Sequence, residues 1–287
     1  MIPCTDKRCV IGEGPIWNEK EEKLYFTNGM EKEICILDIL TETIQVRKTK
    51  TGCAAICFDT KNRMIVSCED GVFYLYEDGS MTPLYDINRF DLRYANDMKA
   101  GPDGRIYVGT QSRKRLGISD KLDGKLFSID NKGNVRILLE DISLSNGMDW
   151  SVDENFFYHT DSDTNIICEY MFDKETGSIQ STGRKIKIQG VDGFTINENN
   201  DIYAACWGQG HIAVIDTYKM KLKRVIDIPV QIPASCAFAG KQMEYLAITT
   251  AYYGMETKTE KDGGTFLVKN NIKGRKPYLF TEGEKKT

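Results

Sequence analysis

The chain has 287 residues, with 38 Lys and Arg against 42 Asp and Glu, a formal net charge of −4, and 41% hydrophobic residues. This balance gives no electrostatic footprint for nucleic acid, while the apolar fraction suffices for a substantial core. No apolar run approaches the roughly 18 residues that span a bilayer, and the opening MIPCTDKRCVIGEGP has neither the basic nor the apolar region of a secretory signal. Neither nucleic acid nor membrane is therefore expected as a partner. The nine cysteines are odd in number and form no CxxC pair, so they read as reduced, buried thiols of a cytoplasmic protein rather than disulfides or zinc ligands.

Helical periodicity is almost absent. Short runs rich in Ile, Val, Tyr, Phe and Thr recur instead, each set off by a polar turn. The first unit pairs runs 16–18 and 23–26 and adds 33–38. The second pairs 56–59 and 63–66 and adds 71–75. The third pairs 98–100 and 105–108 and adds 124–129. The fourth pairs 148–150 and 156–158 and adds 165–170. The fifth pairs 194–196 and 201–204 and adds 210–215. The sixth pairs 236–238 and 244–247 and adds 264–268.

From Tyr25 through Ile65, Tyr107, Tyr158 and Tyr203 to Leu246 the repeat is roughly 40–50 residues, the period of propeller blades. The expected fold is all-β, a single six-bladed β-propeller domain over 1–287; a two-sheet sandwich is the alternative that the repeat disfavours. The WD dipeptide and the kelch glycine pairs are missing. An outer strand near the C-terminus is expected to pair beside the N-terminal segment and close the ring. Lys273, Arg275, Lys276, Lys285 and Lys286 read as a solvated tail.

Three stretches carry oxygen-bearing side chains beside glycine: Gly12-Glu13-Gly14-Pro15, Ser145-Asn146-Gly147-Met148 and Val191-Asp192-Gly193-Phe194. Taken singly, each is an ordinary turn. Together they fall at one phase of the repeat, at the entry to the innermost strand of units one, four and five. Asn96 holds that phase in unit three. In a closed ring these entries face one axis, and Glu13, Asn146 and Asp192 would form an all-oxygen site for one divalent cation. Ca²⁺, Mg²⁺ or Mn²⁺ suits such donors, and Zn²⁺ or Fe²⁺ is accepted. Three protein ligands leave positions open, as catalytic sites do. His159 and His211 lie elsewhere in their units and read as core or surface residues.

The order G-E-G-P-x-W, N-D followed by P-D-G-R-x-Y-x-G-T, S-N-G-x-D-W and D-G is similar to the senescence marker protein, gluconolactonase and regucalcin family, along essentially the whole chain. The resemblance implies a six-bladed propeller with one divalent metal and an enzyme that hydrolyses sugar lactones. It also implies Glu13, Asn146 and Asp192 as metal ligands and Asn96 as a substrate-binding residue. Two positions depart from the pattern. Tyr94 stands where members commonly carry Arg, with Arg93 one residue before it, and the segment after Gly109-Thr110 reads Gln111-Ser112-Arg113-Lys114-Arg115. That loop is expected either as a solvated basic lid or as the wall of a pocket for an acidic or phosphorylated lactone. Asp192 is the expected general base. The competing functions are another metal-dependent esterase or phosphotriesterase on the same scaffold, and a non-catalytic calcium-binding propeller.

Overall fold

The computed structural model describes residues 1, 3–269 and 273–281. Each alternating run becomes a strand, and each polar turn reverses the chain into an antiparallel hairpin. Blade 1 holds β1 (Gly12–Asn18), β2 (Lys23–Asn28), β3 (Glu33–Asp38) and β4 (Thr43–Lys48). Blade 2 holds β5 (Cys53–Phe58), β6 (Met64–Cys68), β7 (Gly71–Leu75) and β8 (Met81–Pro83). Blade 3 holds β9 (Ala95–Ala100), β10 (Ile106–Thr110), β11 (Gly124–Ile129) and β12 (Val135–Ile142). Blade 4 holds β13 (Ser145–Trp150), β14 (Phe156–Asp161), β15 (Ile166–Asp173) and β16 (Ser178–Lys187). Blade 5 holds β17 (Val191–Ile196), β18 (Asp201–Cys206), β19 (His211–Asp216) and β20 (Lys221–Asp227). Blade 6 holds β21 (Pro233–Ala239), β22 (Tyr245–Thr250) and β23 (Phe266–Lys269). Within each sheet the strands follow sequence order. The first strands β1, β5, β9, β13, β17 and β21 contact one another in a closed cycle. This is a six-bladed β-propeller.

A tyrosine recurs in the second strand of blades 1, 3 and 5 and packs against the next blade. Tyr25 of blade 1 meets Phe58 of blade 2 edge to face, with ring centroids 5.1 Å apart. Tyr107 of blade 3 meets Trp150 of blade 4 at 4.8 Å, and Tyr203 of blade 5 meets Phe238 of blade 6 at 5.3 Å. Each ring is buried where one sheet packs on the next, and such pairs contribute about 0.5–1.5 kcal/mol beyond the area they bury.

The blades hold more strands than the repeat marks, and the ring closes differently from the expectation. Five blades carry a fourth, outermost strand that the periodicity did not reveal. β4, β16 and β20 are mostly exposed, so their residues answer to solvent more than to a core and their apolar pattern is weak. The N-terminal segment does run beside blade 6, where the Cys4 and Cys9 N–H groups donate to the Thr265 and Gly263 carbonyls at 2.8 Å each. Among the described residues, however, the C-terminal segment does not pair beside it. It crosses the ring on the side of the β1–β2-type turns, as a strap over residues 273–281.

The strap reaches a turn or inner strand of every blade. Its Gly274 N–H donates to the Met243 carbonyl at 2.9 Å in blade 6, and its Lys273 carbonyl accepts from the Glu198 N–H at 2.9 Å in blade 5. Arg275 pairs with Asp149 of blade 4, and Lys276 pairs with Glu19 of blade 1. The Phe280 N–H donates to the Phe58 carbonyl in blade 2, and the Thr281 N–H to the Gly104 carbonyl in blade 3, both at 3.0 Å. Arg275, expected in solvent, is thus drawn under the ring by a buried carboxylate. Lys285 and Lys286 lie outside the described residues. No helix among the described residues is long and apolar enough to cross a membrane. All nine cysteines are free thiols, buried or half-buried.

Candidate metal centre

The opening residues of the inner strands share a local distortion. Register slips between Glu13 and Ile16 in β1, between Asn146 and Met148 in β13, and between Val191 and Phe194 in β17. The same slip occurs between Cys53 and Ala55 in β5 and between Pro233 and Ser235 in β21. In blade 3 it lies between Ala95 and Met98 in β9, opposite Thr110 and Val108 of β10. A bulge breaks strict alternation and re-aims one side chain, here at the same level in all six blades.

The glycine after each oxygen-bearing residue lets the next blade come close. A Cβ on Gly14 would lie 2.6 Å from Ala55 Cα of blade 2, and its φ of +55° favours glycine in any case. A Cβ on Gly147 would lie 2.1 Å from Phe194 Cδ1 and 2.5 Å from the Asp192 carbonyl oxygen. One on Gly193 would lie 2.1 Å from Ser235 Oγ. The sequence motif is therefore a packing device as well as a donor set. Gly147→Ala is expected to destabilise the fold by about 1–3 kcal/mol, through overpacking against a fixed strand. A thermal melt of the purified variant reads this, and an unchanged midpoint would contradict the packing argument.

Asn96 and Asn146 meet directly. Asn96 Nδ2 donates to Asn146 Oδ1 at 2.8 Å and to the Ser145 carbonyl at 2.9 Å, while Asn146 Nδ2 donates to Ser162 Oγ at 3.0 Å. Both amide hydrogens of Asn96 are thereby committed, and its Oδ1 is what it has left to offer. Asn146 Oδ1 keeps a second lone pair. Asp192 is 6% exposed, and among the described residues nothing hydrogen-bonds to its Oδ1. Enclosure by protein raises the Glu13 carboxyl well above the usual carboxylate range, with the charges of Asp192 and Asp97 adding to it. Enclosure raises Asp192 likewise, Asp97 adds to the shift, and nearby Arg115 partly offsets it.

Two crowded carboxyls, one with an orphaned oxygen, beside an amide oxygen held in place make a donor set that a divalent cation fits. Among the described residues no three His, Cys, Asp or Glu side chains gather at metal-binding spacing. A set built from two carboxylates and a carboxamide does not require that they should.

His159 is buried, and burial lowers its ring to about 3, so it is neutral at physiological pH; Ser145 Oγ lies 2.7 Å from its Nε2. The Ser145–His159 pair is sealed from substrate, with Ser145 at 0% exposure. His211 sits half-buried with Nδ1 3.0 Å from the Gln209 carbonyl. In the basic loop, Lys114 and Arg115 are exposed, Arg113 pairs with Asp123 and Arg115 with Asp163, so its arginines are solvated and also anchored by carboxylates.

Sequence reasoning passed over Asp97, Lys99 and Asp149. Asp97 and Lys99 alternate along β9 and Asp149 lies on β13, all in strands that are otherwise largely buried. Polar residues at that period in an inner strand were the available signal.

The sequence profile described as SMP-30/Gluconolactonase/LRE-like region matches residues 11–252. The chain is 31% identical to the “Putative sugar lactone lactonase YvrE” of Bacillus subtilis (strain 168), over 96% of this chain and 97% of that one. It is 28% identical to regucalcin of Danio rerio, over 94% of this chain and 95% of that protein. Among solved structures, a calcium-binding protein, regucalcin, from Agrobacterium tumefaciens superposes with a TM-score of 0.86 at 24% identity, covering 97% of this chain and 96% of the other; that likeness is one of fold. On the matched profile and the full-length likeness to these relatives, the chain belongs to the SMP-30/gluconolactonase/LRE-like family.

Proposed function

We propose that the protein is a divalent-metal-dependent hydrolase of sugar lactones that opens an aldonolactone ring to the aldonic acid. The observation that carries this reading is the orphaned, buried Oδ1 of Asp192, in a carboxyl crowded by acidic neighbours and set level with the amide oxygens of Asn96 and Asn146. The name of the Bacillus subtilis relative supports the substrate class. The nine free thiols suit the cytoplasm as the place of action.

Glu13, Asn146 and Asp192 would hold the cation, with Ca²⁺, Mg²⁺, Mn²⁺, Zn²⁺ and Fe²⁺ all compatible with the donors. When bound, it would polarise the lactone carbonyl and stabilise the negative charge that develops on its oxygen. Asp192 takes a proton from the attacking water, whose oxygen bonds to the carbonyl carbon. The ring C–O bond then breaks, and the same carboxyl returns the proton to the departing alkoxide. Asn96, with both amide hydrogens committed, presents Oδ1 as acceptor for a substrate hydroxyl. Arg115, close enough to bear on Asp192, would favour a substrate carrying an anionic group on that side of the mouth.

The test is a panel of gluconolactone, pentonolactones, a phosphorylated lactone, homoserine lactones, aryl esters and a phosphotriester. Each is followed by acid release after chelation and re-addition of single metals. Metal-restored hydrolysis of sugar lactones is expected. Turnover confined to esters or phosphotriesters would reassign the substrate. Metal binding with no turnover of any member would leave a binding protein.

A further inference from the structure

Beneath the proposed centre, on the axis of the ring, lies a second polar cluster with no part in the reaction just described. Asp149 sits on β13, three residues after Asn146. Its Oδ2 accepts from Lys99 Nζ at 3.0 Å, from Thr195 Oγ1 at 3.3 Å and from the Ile196 N–H at 3.2 Å. Its Oδ1 accepts from the Trp150 N–H at 2.9 Å and from the Arg275 guanidinium on the C-terminal strap. Lys99 sits on β9, three residues after Asn96, and donates a second bond to the Phe194 carbonyl at 2.7 Å. Phe194, Thr195 and Ile196 follow Asp192 on β17. One carboxylate and one ammonium thus tie together the three strands that carry Asn96, Asn146 and Asp192.

The cluster is closed from below. The Arg275 guanidinium lies 3.8 Å over the Tyr278 ring, and the Tyr278 hydroxyl donates to Glu154 at 2.9 Å in the β13–β14 turn. Asp97, Lys99, Asp149, Arg275 and Lys276 line a cavity of about 60 Å³, two acids and three bases, of which Lys99 and Arg275 bond to Asp149. Removing one member of such a buried set leaves its partner uncompensated, and the strands must shift to relieve it.

From this geometry we infer that Asp149 and Arg275 are positioning residues of the metal centre, through which the C-terminal strap on the far side of the ring sets the spacing of the strands that bear Asn96, Asn146 and Asp192. The inference rests on the proposed centre. Neither residue is among the proposed ligands; each acts through Lys99 and the backbone of β17. Residues that orient metal ligands from behind typically change metal affinity about 10–100-fold when altered.

The experiment is calorimetric titration of the full metal-free chain with Mn²⁺ alone, for wild type, Arg275→Met, Arg275→Lys, Asp149→Asn and Lys276→Gln, with a thermal melt of each. Arg275→Met is expected to weaken Mn²⁺ binding about tenfold or more, with Arg275→Lys recovering part of the loss. Lys276→Gln, which removes an exposed pair with Glu19 and leaves the bonds to Asp149 intact, is expected to bind as wild type does. Arg275 is one-fifth exposed and sits on the strap rather than on an inner strand, so its variants test the point even where Asp149→Asn fails to fold. Lowered melting midpoints with unchanged Mn²⁺ affinity in the Arg275 variants would reduce the cluster to a structural brace and overturn the inference alone. A wild-type chain that binds no Mn²⁺ would overturn the centre itself, and the inference with it.

Discussion

Asp192→Asn is expected to lower kcat for lactone hydrolysis about 10³-fold or more while the metal-free protein becomes more stable than wild type. Replacing the carboxylate by an amide of equal size removes the group that would take the water's proton, a contribution of about 10²–10⁴, and a charged metal ligand as well. The same change relieves the crowding between Glu13 and Asp192, whose carboxyls both stand well above the usual range because protein encloses them and acids surround them. The two effects have opposite signs, which separates a site residue from a structural one. Steady-state kinetics beside thermal melts in chelator would read both. Near-normal turnover, or a fall in the melting midpoint of the metal-free variant, would reject the role assigned to Asp192.

The second large effect is the pH dependence of metal stabilisation. Glu13 and Asp192 have folded-state values above those of the unfolded chain, so the folded metal-free protein holds the extra protons. The stability linked to those protons is fully present below the ordinary carboxylate range, near pH 4, and is lost as pH rises through the raised values. A cation needs both carboxylates ionised, so binding displaces the protons and weakens as pH falls. At neutral pH, metal at a hundredfold excess over Kd contributes about 2.7 kcal/mol, and for a chain of this size that raises the midpoint by about 4–5 °C.

The gap between metal-loaded and metal-free midpoints should therefore be widest at neutral pH and close on acidification towards pH 4–5. His159 also loses stability for the fold as pH falls below its unfolded value, since burial holds it down at about 3. That loss is common to both forms and cancels in the gap. A gap that stays constant from pH 8 to 5 would contradict the paired-carboxyl account.

Much of this architecture was readable from residue order because a propeller repeats one physical problem six times. The runs 71–75 and 124–129 were read as the strands the structure contains. The tyrosines at Tyr25, Tyr107 and Tyr203 recur because each must fill the gap to the next blade. The level of Glu13, Asn146 and Asp192 could be read from phase alone, since each opens an inner strand at a bulge. The outer strands could not, because residues such as Thr41 to Lys48 face solvent on most sides and carry little apolar signal. The strap could not be read either. Arg275 finds Asp149 across 126 residues of chain, and nothing local distinguishes it from the basic residues around it. Long-range charge pairing of this kind depends on topology, which a one-dimensional pattern does not contain.

The central claim is that one cation is shared by Glu13, Asn146 and Asp192. Crystals of the full chain grown with Mn²⁺ and measured near the manganese absorption edge test it most directly. The account predicts a single anomalous peak on the axis at the strand-entry side of the ring, within about 2.0–2.6 Å of an oxygen from each of the three side chains. A peak elsewhere, or one that any of the three fails to reach, would contradict it.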